Sequence, residues 1–212
     1  MPGDKMRILV LAPHGDDGTL GCGGTIARSV EDKYEVFYMA FCTRPKTSLR
    51  TIRGIQELRR ASGILGIKSA NLIFYSDLEI RSFADQRQLI LDQMVSYNKK
   101  ILPDTVFCPS LSDNHQDHRV IAEEACRAFK RCSILGYELP WNHVALTPHL
   151  NFFVVLTEAQ LDTKIKALKC SVSQKGKDYM TAEFQRSLAR VRGLPTGARH
   201  AEAFELIRWI AT

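Results

Sequence analysis

The sequence predicts an α/β fold, a Rossmann-like three-layer sandwich with a mainly parallel sheet. Short apolar strand-like runs alternate with longer amphipathic helical runs from the N-terminus onward, which is how a doubly wound sheet reads in sequence. The chain has 212 residues, 45% hydrophobic and 25% charged, enough for a sizeable core and unlike a disordered segment. No internal repeat, low-complexity tract or linker breaks the pattern, so residues 1–212 read as a single domain.

The elements follow in order. Arg7–Ala12, Tyr34–Cys42, Asn71–Tyr75 and Thr105–Pro109 are the strand candidates of the first half. Between them, Thr19–Glu31 opens on glycines, and Ser48–Leu65 stops at Gly66, a good C-terminal stop for a helix. Phe83–Lys99 carries Leu89, Ile90, Met94 and Val95 at helical spacing, and His118–Arg131 sets Ile121, Ala125 and Phe129 on one face. After Cys132 the rhythm changes. Ser133–Glu138 is a strand leading into the irregular stretch LPWNHVALTPH, Asn151–Thr157 is another strand, and Leu161–Val172 and Asp178–Arg192 are helices. Gly193-Leu194-Pro195 with Gly197 forms a turn, and AEAFELIRWI alternates weakly, as a closing strand does. In the irregular stretch His143 and His149 read as ordinary loop histidines, with Glu138 and Trp141 left unassigned.

Composition narrows the function classes. No apolar run approaches the roughly 20 residues of a membrane-spanning helix. The start, MPGDKMRILVLAP, reads as a core strand entering a polar turn and not as a signal peptide. Six cysteines without any C-x-x-C pair argue against a disulfide framework and for a reducing, cytoplasmic setting. The net charge of +6 is spread along the chain, with no basic tract to bind nucleic acid. It reads first as a solvated basic face and leaves an anionic substrate, and a homo-oligomer, open.

Two polar turns hold the chemistry. The first follows Arg7–Ala12 and carries His14, Asp16 and Asp17; the second follows Thr105–Pro109 and carries His115, Asp117 and His118. In open α/β sheets ligands bind outside the carboxyl ends of the strands, so both turns belong to one edge. A catalytic zinc takes three nitrogen or oxygen ligands and keeps one position open, and two histidines with one carboxylate meet that need. Asp16 and Asp17 are adjacent and point apart in extended backbone, so one faces the metal and the other lies beside it. His14 and Asp17 are spaced for a tight turn onto one ion. His115 and His118 are spaced for one helical turn, which leaves open which of them is the ligand. Each motif alone fits a helix cap, with Asp17 or Asp117 as the capping residue. Together they point to a metal site. A dinucleotide site is the weaker reading, because Gly21-Cys22-Gly23-Gly24 lacks the third glycine of G-x-G-x-x-G and two aspartates stand before it. Those glycines read instead as room for close helix–strand packing.

These residues resemble the PIG-L/LmbE-like de-N-acetylases. The family's first motif, His-Pro-Asp-Asp-Glu after a strand, corresponds to Ala12-Pro13-His14-Gly15-Asp16-Asp17-Gly18 followed by TLGCGGTI, and its H-x-D-H motif to His115-Gln116-Asp117-His118. Further similar stretches are Arg53…Glu57…Leu65-Gly66, Lys166-Ala167-Leu168 running to Ser173-Gln174, and Ala201-Glu202-Ala203-Phe204, so the resemblance spans nearly the whole chain. It implies a zinc-dependent hydrolase, with Fe2+ as an alternative ion, that removes the acetyl group from N-acetylglucosamine units or their conjugates. It implies zinc on His14, Asp17 and His118, Asp16 as general base, and His115 as oxyanion stabiliser or proton donor, its imidazole oriented and charged by Asp117. It also implies sugar-binding side chains at Arg53 and Asp77.

Two departures stand out: Gly15 replaces the family's Pro, loosening the turn, and Gly18 replaces its Glu. The second is expected to leave room for a larger or differently decorated sugar. Two other readings follow from the same residues, an amidase acting on another amide such as a thiol–sugar conjugate, and a non-catalytic sugar-binding relative.

Overall fold

The computed structural model describes residues 5–41, 49–75, 78, 82–143 and 149–211. Seven strands form one sheet: β1 (Arg7–Ala12), β2 (Glu35–Ala40), β3 (Leu72–Phe74), β4 (Thr105–Pro109), β5 (Ser133–Tyr137), β6 (Phe152–Leu156) and β7 (His200–Arg208). The helices are α1 (Asp17–Glu31), α2 (Leu49–Ile64), α3 (Arg87–Ile101), α4 (Gln116–Ala128), α5 (Glu158–Leu168) and α6 (Ala182–Gly193). The strand order is β3-β2-β1-β4-β5-β7-β6. The first five run parallel, while β7 pairs antiparallel with both β5 and β6. The closing stretch is therefore no edge strand; it is inserted between the two strands that precede it.

The layering follows from period-two side-chain alternation in strands buried on both faces. Along β1, Ile8, Val10 and Ala12 join a core shared with residues of α1, α2 and α5, whereas Leu9 and Leu11 join the core beneath α3 and α4. Among the described residues no helix is long and apolar enough to cross a membrane. Cys22, Cys108, Cys126, Cys132 and Cys170 are free thiols, and Cys42 lies outside the described residues.

Helix ends differ from expectation where a cap decides them. Helix α5 begins at Glu158, three residues before Leu161, because Thr157 and Gln160 form a reciprocal capping box. It stops at Leu168, and Val172–Gln174 is a separate 3-10 turn. Thr181 accepts from the Phe184 amide and starts α6 at Ala182, leaving Asp178–Met180 as a 3-10 turn. Phe83–Gln86 is likewise a 3-10 turn ahead of α3. Gly66, in the left-handed region at φ 83°, carries the chain out of α2.

Helix α1 bends at Cys22 (φ −141°), and the amides exposed by the bend are not left unpaired. Glu202 of β7 accepts from the Gly24 and Thr25 amides at 3.0 and 2.7 Å, and its charge is matched by the buried Lys164 ammonium at 2.8 Å. The glycines before the bend serve close packing, as their sequence suggests. A Cβ on Gly21 would lie 2.3 Å from Cδ2 of Tyr137, whose ring is fully buried under the helix. Gly21→Ala is therefore expected to lower unfolding stability by about 1–3 kcal/mol through overpacking. A urea midpoint equal to that of the parent would refute it.

Candidate metal centre

The two polar turns meet because β1 and β4, which deliver them, are hydrogen-bonded neighbours. In the first turn the Asp17 carboxylate accepts the His14 amide at 2.8 Å, folding the chain so that both side chains reach one point. The Tyr38 hydroxyl donates to the Gly15 carbonyl at 3.0 Å and fixes the outer side of the same turn. In the second turn His115 is the N-cap of α4, with Nδ1 accepting the Asp117 amide at 3.2 Å. The helix thus starts two residues earlier than its apolar pattern suggests, and Asp117 is not the cap. Asp17 is not a cap either, since Asp16 holds that position in α1 without a side-chain bond.

Three donor atoms converge. His14 Nδ1 lies 3.0 Å from Asp17 Oδ2, His118 Nε2 lies 3.2 Å from the same oxygen, and the two nitrogens are 3.3 Å apart. Tetrahedral zinc with bonds of about 2.0–2.1 Å requires ligand separations of about 3.3 Å, so the triangle has the size of a zinc face. The outer nitrogens are also correctly occupied. His14 Nε2 meets Asp117 Oδ2 at 3.2 Å, and His118 Nδ1 meets Asp113 Oδ2 at 2.8 Å. A carboxylate on the far nitrogen of each imidazole turns the near nitrogen's lone pair inward, which is the arrangement a metal-binding histidine needs. His14, His115 and His118 form a second, looser donor set whose atoms lie within 4.8 Å of one another. The set with Asp17 is tighter and includes an anion, so it fits a dication better.

The charges agree with this. Burial alone disfavours protonation of His14, but the Asp17 charge and hydrogen bonds to Asp117 and Asp17 outweigh it and raise its pKa to about 10. His118 is likewise desolvated, yet Asp17 and Asp113 raise it to about 9. Asp17 is itself desolvated, but the two imidazoles hold its carboxyl far below the usual range. Without metal, then, two imidazolium protons balance the carboxylates. A dication replaces those two protons with no change of net charge. Asp16 behaves differently: desolvation first, and repulsion from Asp17 second, push its carboxyl up to about 6.

His115 has a different electrostatic setting from the other two imidazoles. Desolvation, followed by the charges of His118 and His14, lowers its pKa. Because Nδ1 accepts a backbone N–H, the bonding pattern assigns the neutral tautomer protonated at Nε2. The carboxylate of Asp117 reaches His14, its amide donates to His115 Nδ1, and its charge acts to raise the His115 pKa against the lowering effects. The lowered pKa and this bonding pattern favour a neutral imidazole in the metal-free protein.

Arg53 is exposed on α2, one helical turn before Glu57, and Asp77 lies outside the described residues. Glu57 is buried and accepts from the Ser173 amide and hydroxyl at 3.1 and 2.7 Å, tying α2 to the segment after α5. The space expected at Gly18 is absent: a Cβ there would lie 2.7 Å from the Tyr38 hydroxyl and from a Val10 methyl. Tyr38 and Val10 fill the position that a side chain at 18 would occupy, so the glycine opens no space there. His143 forms a β-bridge with Asp113, and Glu138 pairs with Arg192, while His149 is exposed.

Sequence reasoning passed over Asp113 and Asn142. Asp113 is buried, binds His118 through one oxygen and the His115 amide through the other, and receives Asn142 Nδ2 at 3.2 Å. The available signal was chemical: a metal-binding histidine needs a carboxylate behind it, and Asp113 stands five residues before His118. Asp113→Asn is expected to weaken zinc binding about 10–100-fold while leaving the fold intact. Competition with a chelator of known affinity measures it, and an unchanged affinity would count against the site.

A family model described as PIG-L, GlcNAc-PI de-N-acetylase, matches residues 9–129, which include both turns and every donor named above. The chain belongs to this family. Membership makes it an amide hydrolase of the de-N-acetylase class. A diacetylchitobiose deacetylase of Thermococcus kodakarensis is 23% identical over 229 residues, covering 96% of this chain and 84% of the relative. Among solved structures, the zinc-inhibited form of the teicoplanin deacetylase Orf2 superposes with a TM-score of 0.76 at 16% identity, covering 98% of this chain and 100% of that one. GalB of Pseudomonas putida KT2440, a 4-carboxy-2-hydroxymuconate hydratase, gives a TM-score of 0.77 at 18% identity, with 98% of both chains covered. The fold thus hosts a hydratase as well as deacetylases, so likeness of fold alone does not name the substrate.

Proposed function

We propose that the chain is a zinc-dependent hydrolase that removes the N-acetyl group from an N-acetylglucosamine-type amino sugar or its conjugate, releasing acetate. His14, Asp17 and His118 hold the ion. The observation that carries this reading is the donor triangle with sides of 3.0, 3.2 and 3.3 Å, each imidazole backed by its own carboxylate. When bound, the ion supplies Lewis acidity toward the amide carbonyl and makes water acidic near neutral pH.

The side chains perform the remaining tasks. Asp16, with a pKa raised to about 6, is ionised at neutral pH and still basic enough to accept the proton of the attacking water. Neutral His115 offers its Nε2–H to the tetrahedral oxyanion, a preorganised donor that need not change charge during the reaction. Asp117 and Asp113 hold His14 and His118 in the required tautomers. Collapse of the intermediate breaks the C–N bond as the proton held by Asp16 passes to the nitrogen. Acetate and a free amino sugar leave. Arg53 and Asp77 contribute sugar contacts, and the whole chain acts as one domain.

The test is release of acetate and primary amine from a panel of N-acetylated sugars and thiol–sugar conjugates. One equivalent of Zn2+ or Fe2+ is used, because a protein of this fold is known in a zinc-inhibited form. Metal-dependent cleavage of N-acetylglucosamine derivatives is expected. Cleavage restricted to a thiol conjugate's other amide would reassign the substrate. Stoichiometric metal with no amide cleaved would identify a binding protein.

A further inference from the structure

Two glycines of the first turn and a tyrosine one strand away form a unit that the chemistry above does not use. Gly15 lies between the ligand His14 and the general base Asp16. The Asp17 amide donates to the His14 carbonyl at 3.4 Å, and Asp16 has φ −102° and ψ −14°. These are the features of a type I turn with Gly15 at its first central position, where glycine has no steric advantage. The φ of Gly15 is not positive, and a Cβ there would meet only the Leu58 Cβ, at 4.0 Å. The turn therefore does not require glycine. It carries one all the same, and the base hangs from a residue with unusual backbone freedom.

The metal ligands are held by other means. His14 is fixed through its amide by Asp17 and through Nε2 by Asp117. Asp16 has no such support: it is the N-cap of α1 without a side-chain capping bond, so its carboxylate goes where the backbone of the turn puts it. The Tyr38 hydroxyl grips that backbone at the Gly15 carbonyl, 3.0 Å away. Tyr38 stands on β2 opposite Val10 of β1 and is fully buried, so its ring is held on every side. Desolvation pushes its hydroxyl well above the ordinary range and keeps it a donor. It reaches Gly15 only because position 18 has no side chain, since a Cβ there would lie 2.7 Å from the hydroxyl oxygen. Gly18 admits the hydroxyl, and the hydroxyl restrains Gly15.

We propose that Tyr38 is a positioning residue for Asp16, supplying through its hydrogen bond the rigidity that the turn lacks with glycine at position 15. The proposal rests on the hydrolase reading above. Being fully buried, Tyr38 acts through the turn and not on the substrate. Proline at position 15 is its covalent equivalent, because it fixes φ near about −65°, the value a type I turn takes at that place. Among the described residues the Gly15 amide donates no hydrogen bond that proline would remove.

The test follows acetate release from N-acetylglucosamine by the zinc-loaded protein. Tyr38→Phe keeps the ring and removes the hydroxyl. It is expected to lower kcat about tenfold, with KM changed less than about twofold and one zinc per chain retained. Gly15→Pro alone is expected to stay within about threefold of the parent. Added to Tyr38→Phe it is expected to recover most of the lost kcat, a coupling that a merely structural role of the hydroxyl would not produce. Parental kcat in Tyr38→Phe, a loss that proline does not relieve, or inactivity of Gly15→Pro alone would each overturn the proposal. A second measurement needs no substrate: hydrogen exchange, followed by NMR, of the Leu20 amide, which donates to the Asp16 carbonyl at 2.9 Å. Exchange is expected to quicken about tenfold in Tyr38→Phe and to slow again with Gly15→Pro. That pattern in a protein that cleaves no member of the sugar panel would refute the hydrolase reading and keep the clamp; unchanged exchange would refute the clamp alone.

Discussion

Asp17→Ala is expected to yield purified protein without bound zinc and without measurable hydrolysis. The carboxylate of Asp17 is the common vertex of the donor triangle, 3.0 Å from His14 and 3.2 Å from His118. It also accepts the His14 amide and so shapes the turn that aims that imidazole. Loss of a direct ligand should exceed the roughly 10–100-fold effect of losing an outer carboxylate. Asp17→Asn separates the two roles, because the amide oxygen can still accept the His14 N–H while the charge is gone. Metal content by elemental analysis, together with far-ultraviolet circular dichroism, decides: a folded alanine variant with one zinc per chain would remove Asp17 from the ligand set.

The same contacts set the sign of the pH dependence. In the metal-free protein His14 and His118 have pKa values raised to about 10 and about 9, above the ordinary 6.5. Their stabilising contribution is complete below about pH 6.5 and is lost as pH rises through those folded values. Metal must displace both protons, so zinc affinity rises with pH over the range in which the metal-free protein weakens. Melting curves of chelated and zinc-loaded protein should therefore separate further between pH 7 and 9.

Asp16→Asn is expected to keep one zinc per chain and to lower turnover on the order of a hundredfold or more, the usual range for a general base. Asp16 is next to the ligand Asp17 in sequence, but it supplies none of the three atoms of the donor triangle. Its pKa of about 6 reflects desolvation first and the Asp17 charge second. As a base it must be ionised, so activity is full above that value and declines as pH falls through it. A bound dication moves the decline to lower pH and cannot move it higher. The kcat/KM profile should show this acidic limb in the parent and lose it in the asparagine variant. A variant with parental turnover would remove Asp16 from the role.

The sequence by itself determined the order of elements, the three layers and the meeting of the two turns. Strand β1 and strand β4 run as their apolar stretches predict, over Arg7–Ala12 and Thr105–Pro109. Local patterns of period 2 and 3.6 are written residue by residue, and parallel strands put their following turns on one edge. Tertiary structure alone decided what stands behind and around the donors. Asp117 turned to His14, 103 positions away, rather than to its neighbour His115, and Tyr38, 20 positions on, took the space above Gly18. Asp113 acquired its role only because the turn after β4 folds back over His118, and β7 was drawn between β5 and β6 although it follows both in the chain. The physical reason is common to all four. A side chain's partner is set by which surfaces pack against it, and that packing is a property of the assembled layers that no local spacing carries.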